Sequence, residues 1–189
     1  MEHYNTVQVA LLGATKSGKT SLARAISGQK FELEYIPTIG SDMFHIYNDD
    51  LNLKFLFWDL SGNSRFNTMA ESYILISHVV CLCYDSTNYE SYQTVRNLYY
   101  KFKDVMNKKH ICVISTKNDD VLNITLPWGT ELSTFLECPM FMTSAVQRKF
   151  NDYVEWLNKK GSSIFKIEKG VLDLELPRDG NKRNCCLIN

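Results

Sequence analysis

The segment Gly13-Ala14-Thr15-Lys16-Ser17-Gly18-Lys19-Thr20 fits the pattern of a glycine, four free positions, Gly-Lys, then Ser or Thr. The backbone N–H groups of such a loop, with the N-terminus of the helix that follows it, bind phosphate oxygens. Lys19 is spaced to reach β and γ phosphates, and the Thr20 hydroxyl to ligate Mg²⁺, with Ser21 next in line. The chemistry is that of holding a nucleoside triphosphate. The motif alone chooses neither the base nor the fate of the nucleotide, so an adenine-using kinase or ATPase stays open at this point. More polar groups of the same kind recur downstream. Thr38 lies in Tyr35-Ile-Pro-Thr-Ile-Gly40, Asp59 in Trp58-Asp-Leu-Ser-Gly62 and Asp119 in Thr116-Lys-Asn-Asp119, and Thr143-Ser-Ala145 follows. A single loop acid is ordinarily just solvated. The order of these segments along successive elements is what carries weight.

The elements that must position them read as alternating strands and helices. Val7, Val9 and Leu11 alternate with Gln8 and Ala10, a strand running into the glycine loop, and Leu22, Ala25 and Ile26 follow at helical spacing. Residues 28–40 are loop-like. Residues 42–47 and 51–58 read as two strands joined by Asn48-Asp49-Asp50, with Leu51, Leu53, Phe55 and Phe57 in alternation. After Asp59 a polar loop is expected. Val79 to Tyr84 is a continuous apolar run, as for a strand buried on both faces. Val95, Leu98, Tyr99, Phe102, Val105 and Met106 share one face of a long helix. Ile111 to Ile114 is a further strand, Leu132 to Leu136 a short helix, Phe141 and Met142 a last strand, and Phe150 to Leu157 a final amphipathic helix. This pattern predicts an α/β fold: a mostly parallel six-stranded sheet, one antiparallel edge strand, helices on both faces. The pattern decays near Gly161, so residues 1–160 read as the folded domain and 161–189 as a flexible tail.

The bulk numbers agree with one domain, at 189 residues and a formal net charge of 0. A neutral chain gives no reason to expect nucleic acid or an acidic membrane surface as the main partner. The N-terminal segment Met1 to Gly13 lacks the basic lead and small-residue cleavage site of a signal peptide. The longest apolar stretch, Tyr73 to Tyr84, is interrupted by Ser77 and His78 and falls short of the ~18–20 residues that span a bilayer. Cys81, Cys83, Cys112 and Cys138 are expected as buried, reduced thiols of a reducing compartment. His3, His45, His78 and His110 have no ligand spacing.

The glycine loop, Thr38, Asp59, Thr116 to Asp119 and Thr143 to Ala145, in that order, resemble the Ras-like small GTPases over roughly residues 5–160. The segments YIPTIGSD, WDLSGNSRF and CYDSTNYES are most similar to Rab proteins, while Thr116 and Ala145-Val146 are more like Rho proteins. The resemblance implies a three-layer G domain that switches between GTP and GDP with Mg²⁺ and serves vesicle trafficking. It implies that residues Gly13 to Ser21 cradle the phosphates and that Tyr35 and Ser144 join the nucleotide contacts. Thr38 corresponds to the switch I threonine that ligates Mg²⁺ and contacts the γ-phosphate. Asp59 corresponds to the acid that holds Mg²⁺ through water, and Gly62 to the switch II glycine that senses the γ-phosphate. Asp119 would accept two hydrogen bonds from guanine, which adenine cannot supply. Lys117 would pack over the base and the glycine loop, the Ala145 N–H would meet guanine O6, and Phe31 would stack on the base edge. Exchange factors, activating proteins and effectors are implied partners, with Met43, Trp58 and Tyr73 at the positions where Rab proteins use three aromatics to meet effectors.

Several residues depart from the family pattern. Asn63 stands where the family has the Gln that positions the attacking water, which predicts slow hydrolysis, or a lasting GTP-bound platform if hydrolysis is negligible. Thr15 is a tolerable hydroxyl in the loop. Lys16 replaces a small residue and is expected to point to solvent, since the loop works through its backbone. Thr116 loses the amide that in Rab proteins ties the glycine loop to the base loop, and Val146 replaces a lysine. At the C-terminus Cys186-Leu-Ile-Asn189 fits a prenylation motif whose last residue selects neither farnesyl nor geranylgeranyl, and Cys185 doubles the thiol, as in Rab proteins that end in paired cysteines carrying geranylgeranyl groups. Only Lys182 and Arg183 flank them, which favours two lipids over one lipid plus a basic patch. The expected location is the cytoplasmic face of an intracellular membrane.

Overall fold

A computed structural model describes residues 3–119 and 128–166. Its strands are β1 (Asn5–Leu12), β2 (Ser41–Asn48), β3 (Leu53–Leu60), β4 (Val79–Asp85), β5 (His110–Thr116) and β6 (Met140–Met142). Its helices are α1 (Lys19–Ile26), α2 (Asn67–Ile76), α3 (Tyr89–Met106), α4 (Trp128–Phe135) and α5 (Asn151–Ile164). They form one six-stranded sheet in the order β2-β3-β1-β4-β5-β6, in which only the β2–β3 pair is antiparallel.

The period of two in β1 sorts side chains between two cores. Val7, Val9 and Leu11 join Phe55 and Phe57 of β3 under α1 and α5, where Leu22, Ile26, Tyr153 and Leu157 close the layer. Ala10 and Leu12 face the other way and meet Ile74 of α2, Val95 and Phe102 of α3, and Leu132 of α4. β4 is buried along its whole length, as its unbroken apolar run predicts. α3 starts where Asn88 caps it: Asn88 Oδ1 accepts from the Ser91 N–H at 3.0 Å.

Three sequence expectations shift. β3 begins at Leu53 rather than Leu51, because residues 49–52 form the hairpin turn: the Asn52 N–H donates to the Asp49 carbonyl, and the Leu51 N–H to Asn48 Oδ1. The stretch after Asp59 is not only loop. A short 3₁₀ turn, Ser64–Phe66, leads into α2, whose amphipathic signal is weak because only Ala70 and Ile74 are buried while Met69, Leu75 and Ile76 remain exposed. α5 continues through Gly161 to Ile164. Gly161 is there for contact rather than for helix termination, since a Cβ at that position would stand 2.8 Å from Leu53 Cδ1.

Candidate functional site

The loops after β1, β3, β5 and β6 gather at the carboxyl ends of the parallel strands, where open α/β sheets bind ligands. A cleft of about 350 Å³ lies there, lined by residues Thr15 to Ser21, by Phe31, Tyr35 and Thr38, by Gly62 and Asn63, and by Lys117. Its charged lining is Lys16, Lys19, Arg24, Lys30, Arg65 and Lys117 against Glu32 and Glu34. In a chain of zero net charge this is a local positive field, which draws anions into the cleft.

Close approach shapes the glycine loop. A Cβ on Gly13 would sit 2.0 Å from the Cys83 carbonyl oxygen, so only glycine lets the loop cross β4. Gly18 takes a left-handed φ of 82° as it caps α1. Ala14 accepts from the Ser17 N–H at 3.3 Å, which keeps the turn closed. Lys19 is only 5% exposed, and its ammonium donates to the Gly13 carbonyl at 3.0 Å and the Ala14 carbonyl at 2.7 Å. Burial lowers its pKa, opposed by the nearby Asp59 carboxylate.

The three residues expected to hold Mg²⁺ meet in one place. The Thr20 hydroxyl donates to Asp59 Oδ2 at 2.6 Å, the Thr38 hydroxyl to the same oxygen at 3.2 Å, and the two hydroxyls are 3.3 Å apart. Asp59 is fully buried, and its Oδ1 is without a protein partner. Burial pushes its carboxyl up, with Lys19 and the two threonines working against that. Among the described residues no group of three or more His, Cys, Asp or Glu could hold a metal. A set of hydroxyls and one carboxylate suits Mg²⁺, which is bound by few protein oxygens and completed by phosphate and water. The orphaned Oδ1 gives such an ion, or its water, an acceptor to use.

Gly62 presses against the loop, for a Cβ on it would lie 2.2 Å from the Thr15 backbone nitrogen and 2.4 Å from the Ala14 carbonyl carbon. Asn63 follows it and caps the 3₁₀ turn: its Oδ1 accepts from the Arg65 N–H at 3.1 Å. The short amide is thus bound to its own backbone. Lys16 has a left-handed φ of 62°, and its ammonium stands 5.3 Å from the centre of the Tyr35 ring. The side chain is exposed, yet it bends back over the cleft.

At the other end of the site a hydroxyl makes a tie in place of the lost amide. The Thr116 hydroxyl donates to the Ser17 carbonyl of the glycine loop at 2.7 Å and to the Tyr84 carbonyl at 3.0 Å. A hydroxyl on a β-branched stem reaches what a longer amide reaches elsewhere, because Gly18 packs directly on the Thr116 side chain. Lys117 pairs with Asp85 at 2.6 Å rather than pointing free. The Ser144 hydroxyl donates to Asp119 Oδ1 at 2.6 Å, fixing the carboxylate. Asp119, Ser144, Ala145 and Val146 lie outside the cleft lining, on the loops beyond Lys117. Phe31 and Val146 are 40% and 53% exposed.

Two residues of this region escape a sequence reading. Asn118 is buried and its amide donates to the Ser115 carbonyl at 2.8 Å and the Thr143 carbonyl at 3.2 Å, tying the β5 and β6 loops. Its place between Lys117 and Asp119 was the available signal. Arg148 donates to the Ala25 carbonyl at 3.0 Å, joining the last loop to α1, and nothing in its sequence surroundings marks it.

Beside the cleft, Met43 is the cross-strand partner of Trp58, and Trp58 lies 4.7 Å from the Tyr73 ring. Trp58 donates to Gln8 Oε1 at 3.0 Å and Tyr73 accepts from the Ser41 hydroxyl at 2.8 Å, so both rings are held rigid. Met43 is 52% exposed there, and the cleft-lining Ile36 and Ile39 are 65% and 81% exposed, apolar surface of the kind that meets partners. Cys185 and Cys186 lie outside the described residues. Among the described residues no helix is long and apolar enough to cross a membrane.

A family profile described as the Ras family matches residues 8–160 of this chain. The chain is 27% identical to Ras-related protein SEC4 of Candida albicans, covering 95% of this chain and 93% of that protein. It is 28% identical to Ras-related protein RABD1 of Arabidopsis thaliana, covering 95% of each.

Proposed function

Because the chain belongs to the Ras family of small GTPases, close to its Rab branch, we propose that it is a Rab-type switch that binds GTP and GDP with Mg²⁺. The observation that carries this reading is the meeting of the Thr20 and Thr38 hydroxyls on the buried Asp59 beside the buried Lys19. When bound, Mg²⁺ would neutralise phosphate charge, held by Thr20 and Thr38 and, through water, by Asp59. Residues Gly13 to Ser21 wrap the phosphates, with the Lys19 ammonium turned to them. Asp119, fixed by Ser144, accepts the guanine N–H groups, and Lys117, Phe31 and Ala145 complete the base contacts. Thr38 and Gly62 engage the γ-phosphate, so the segments that carry them are ordered with GTP and relax with GDP. The Met43, Trp58 and Tyr73 surface then meets an effector, and exchange factors and activating proteins act on the same segments. Lipids on Cys185 and Cys186 tether the switch to the cytoplasmic face of a trafficking membrane.

Hydrolysis is slow in this reading. Asn63 is shorter than the usual Gln and its carbonyl is already bonded to the Arg65 N–H. That same bond favours a second reading, in which hydrolysis is negligible and the chain is a lasting GTP-bound platform. The nucleotide carried by the protein purified from its own cells separates the two: mostly GDP supports the switch, mostly GTP the platform. Displacement of bound nucleotide by ATP as readily as by GTP would overturn both.

A further inference from the structure

We propose that Lys16 and Tyr35 form a clasp across the phosphate end of the cleft, one that retains the nucleotide; this rests on the guanine-nucleotide reading above. Three observations carry it. The first is the backbone: at a φ of 62° Lys16 is held in a conformation that a side-chain-bearing residue adopts at a cost. The second is where that backbone sends the side chain. The Lys16 ammonium stands 5.3 Å from the centre of the Tyr35 ring, within the range at which a cation is attracted to a ring face. Both residues line the cleft, one from the loop after β1 and the other from the segment before β2, so their contact joins opposite walls.

The third observation is how the neighbouring cations are engaged. Lys19 is held by the Gly13 and Ala14 carbonyls, Arg24 pairs with Glu32, Lys117 pairs with Asp85, and Arg65 lies over the Phe66 ring. Arg24 reaches the segment before β2 through Glu32 from α1, whereas Lys16 reaches it from the glycine loop itself, onto the Tyr35 ring. Tyr35 is 46% exposed, so the contact closes over the opening rather than filling the core. A nucleotide with its phosphates in the loop must pass this bridge to leave, and the ammonium adds charge attraction for phosphate as it does so. The clasp is therefore a determinant of residence time, and a reason for a lysine inside a loop that otherwise works through its backbone.

The test is the release rate of a fluorescent GDP from the full chain, measured for wild type, Lys16→Met, Tyr35→Leu and the double variant. Methionine keeps the stem and removes the charge. Each single variant is expected to release GDP faster by about two- to five-fold, the worth of one exposed cation–ring contact. The double variant is expected to be no faster than the quicker single, because the two side chains act as one unit. Tyr35→Phe, which keeps the ring, is expected to bring release back toward the slow rate relative to Tyr35→Leu. Rates unchanged in both singles, or effects that multiply in the double, overturn the clasp while leaving the nucleotide site intact. Wild-type protein that binds no guanine nucleotide at all overturns the site reading and the clasp with it.

Discussion

Replacing Asn63 by Gln would separate two jobs that one short amide performs. Asn63 Oδ1 accepts from the Arg65 N–H at 3.1 Å and so caps the 3₁₀ turn that leads into α2. Gln adds one methylene, about 1.5 Å of reach. The longer side chain is a poor cap, and loss of a capping bond costs about 1 kcal/mol. For a chain of this size that is a fall of about 2–4 °C in Tm. The same added length carries the amide off its own backbone and toward the cleft that Asn63 lines. Misplacing a positioning group by about 1 Å costs on the order of 10²-fold, so single-turnover GTP hydrolysis should rise by up to that factor. Asn63→Ala serves as the control: it should lose the cap and the stability, with no gain in rate. The assay is rapid-mixing hydrolysis of preloaded GTP, run beside thermal unfolding of the GDP-bound protein. A Gln variant with wild-type rate and wild-type Tm would refute the reasoning, because Asn63 would then neither cap the turn nor limit the chemistry.

Ser144→Ala should weaken GDP binding about tenfold in a fluorescence titration, since it frees the Asp119 carboxylate from a 2.6 Å bond, and bonds to charged groups carry about 1.5–3 kcal/mol with the lower end fitting a partly exposed site. Asp119→Asn should move preference from GTP toward xanthosine triphosphate; unchanged GTP affinity in that variant would show that Asp119 does not read the base. Thr116→Val keeps the shape but leaves the Ser17 and Tyr84 carbonyls without the hydroxyl they share, so urea unfolding should register a loss of about 1–3 kcal/mol. Stability should also depend on His78, whose Nδ1 accepts from the Gln8 N–H at 3.0 Å and must be neutral to do so. Burial and the nearby Lys109 lower its pKa below the ordinary 6.5, so the unfolded chain takes up the proton first as pH falls. Its contribution is full above 6.5 and is lost as pH falls through that value toward the folded pKa. His110 is shifted the same way. Melting curves on either side of that pH should show the decline in wild type and a smaller one in His78→Asn.

The candidate site was legible in the chain because its groups sit in local patterns. The glycine loop is contiguous, and Thr38, Asp59 and Asp119 each stand in a short segment with recognisable neighbours. Strand periodicity is equally local: the alternation of Val7, Val9 and Leu11 against Ala10 and Leu12 is the division of the two cores. What the chain did not disclose was contact between segments far apart. Whether Thr116 ties the glycine loop depends on how closely Gly18 approaches it, a distance no spacing rule contains. α2 was hidden because its outer face keeps apolar residues exposed, which blurs the period that marks a helix. Gly161 looked like a helix end until the close approach of Leu53 explained it. Lys16 was expected to point to solvent; it is exposed, but the fold turns its ammonium to the Tyr35 ring. Sequence determined which groups could hold a nucleotide; tertiary structure decided which of them are already bound to one another, because hydrogen bonds and ring contacts across the cleft depend on distances that only packing sets.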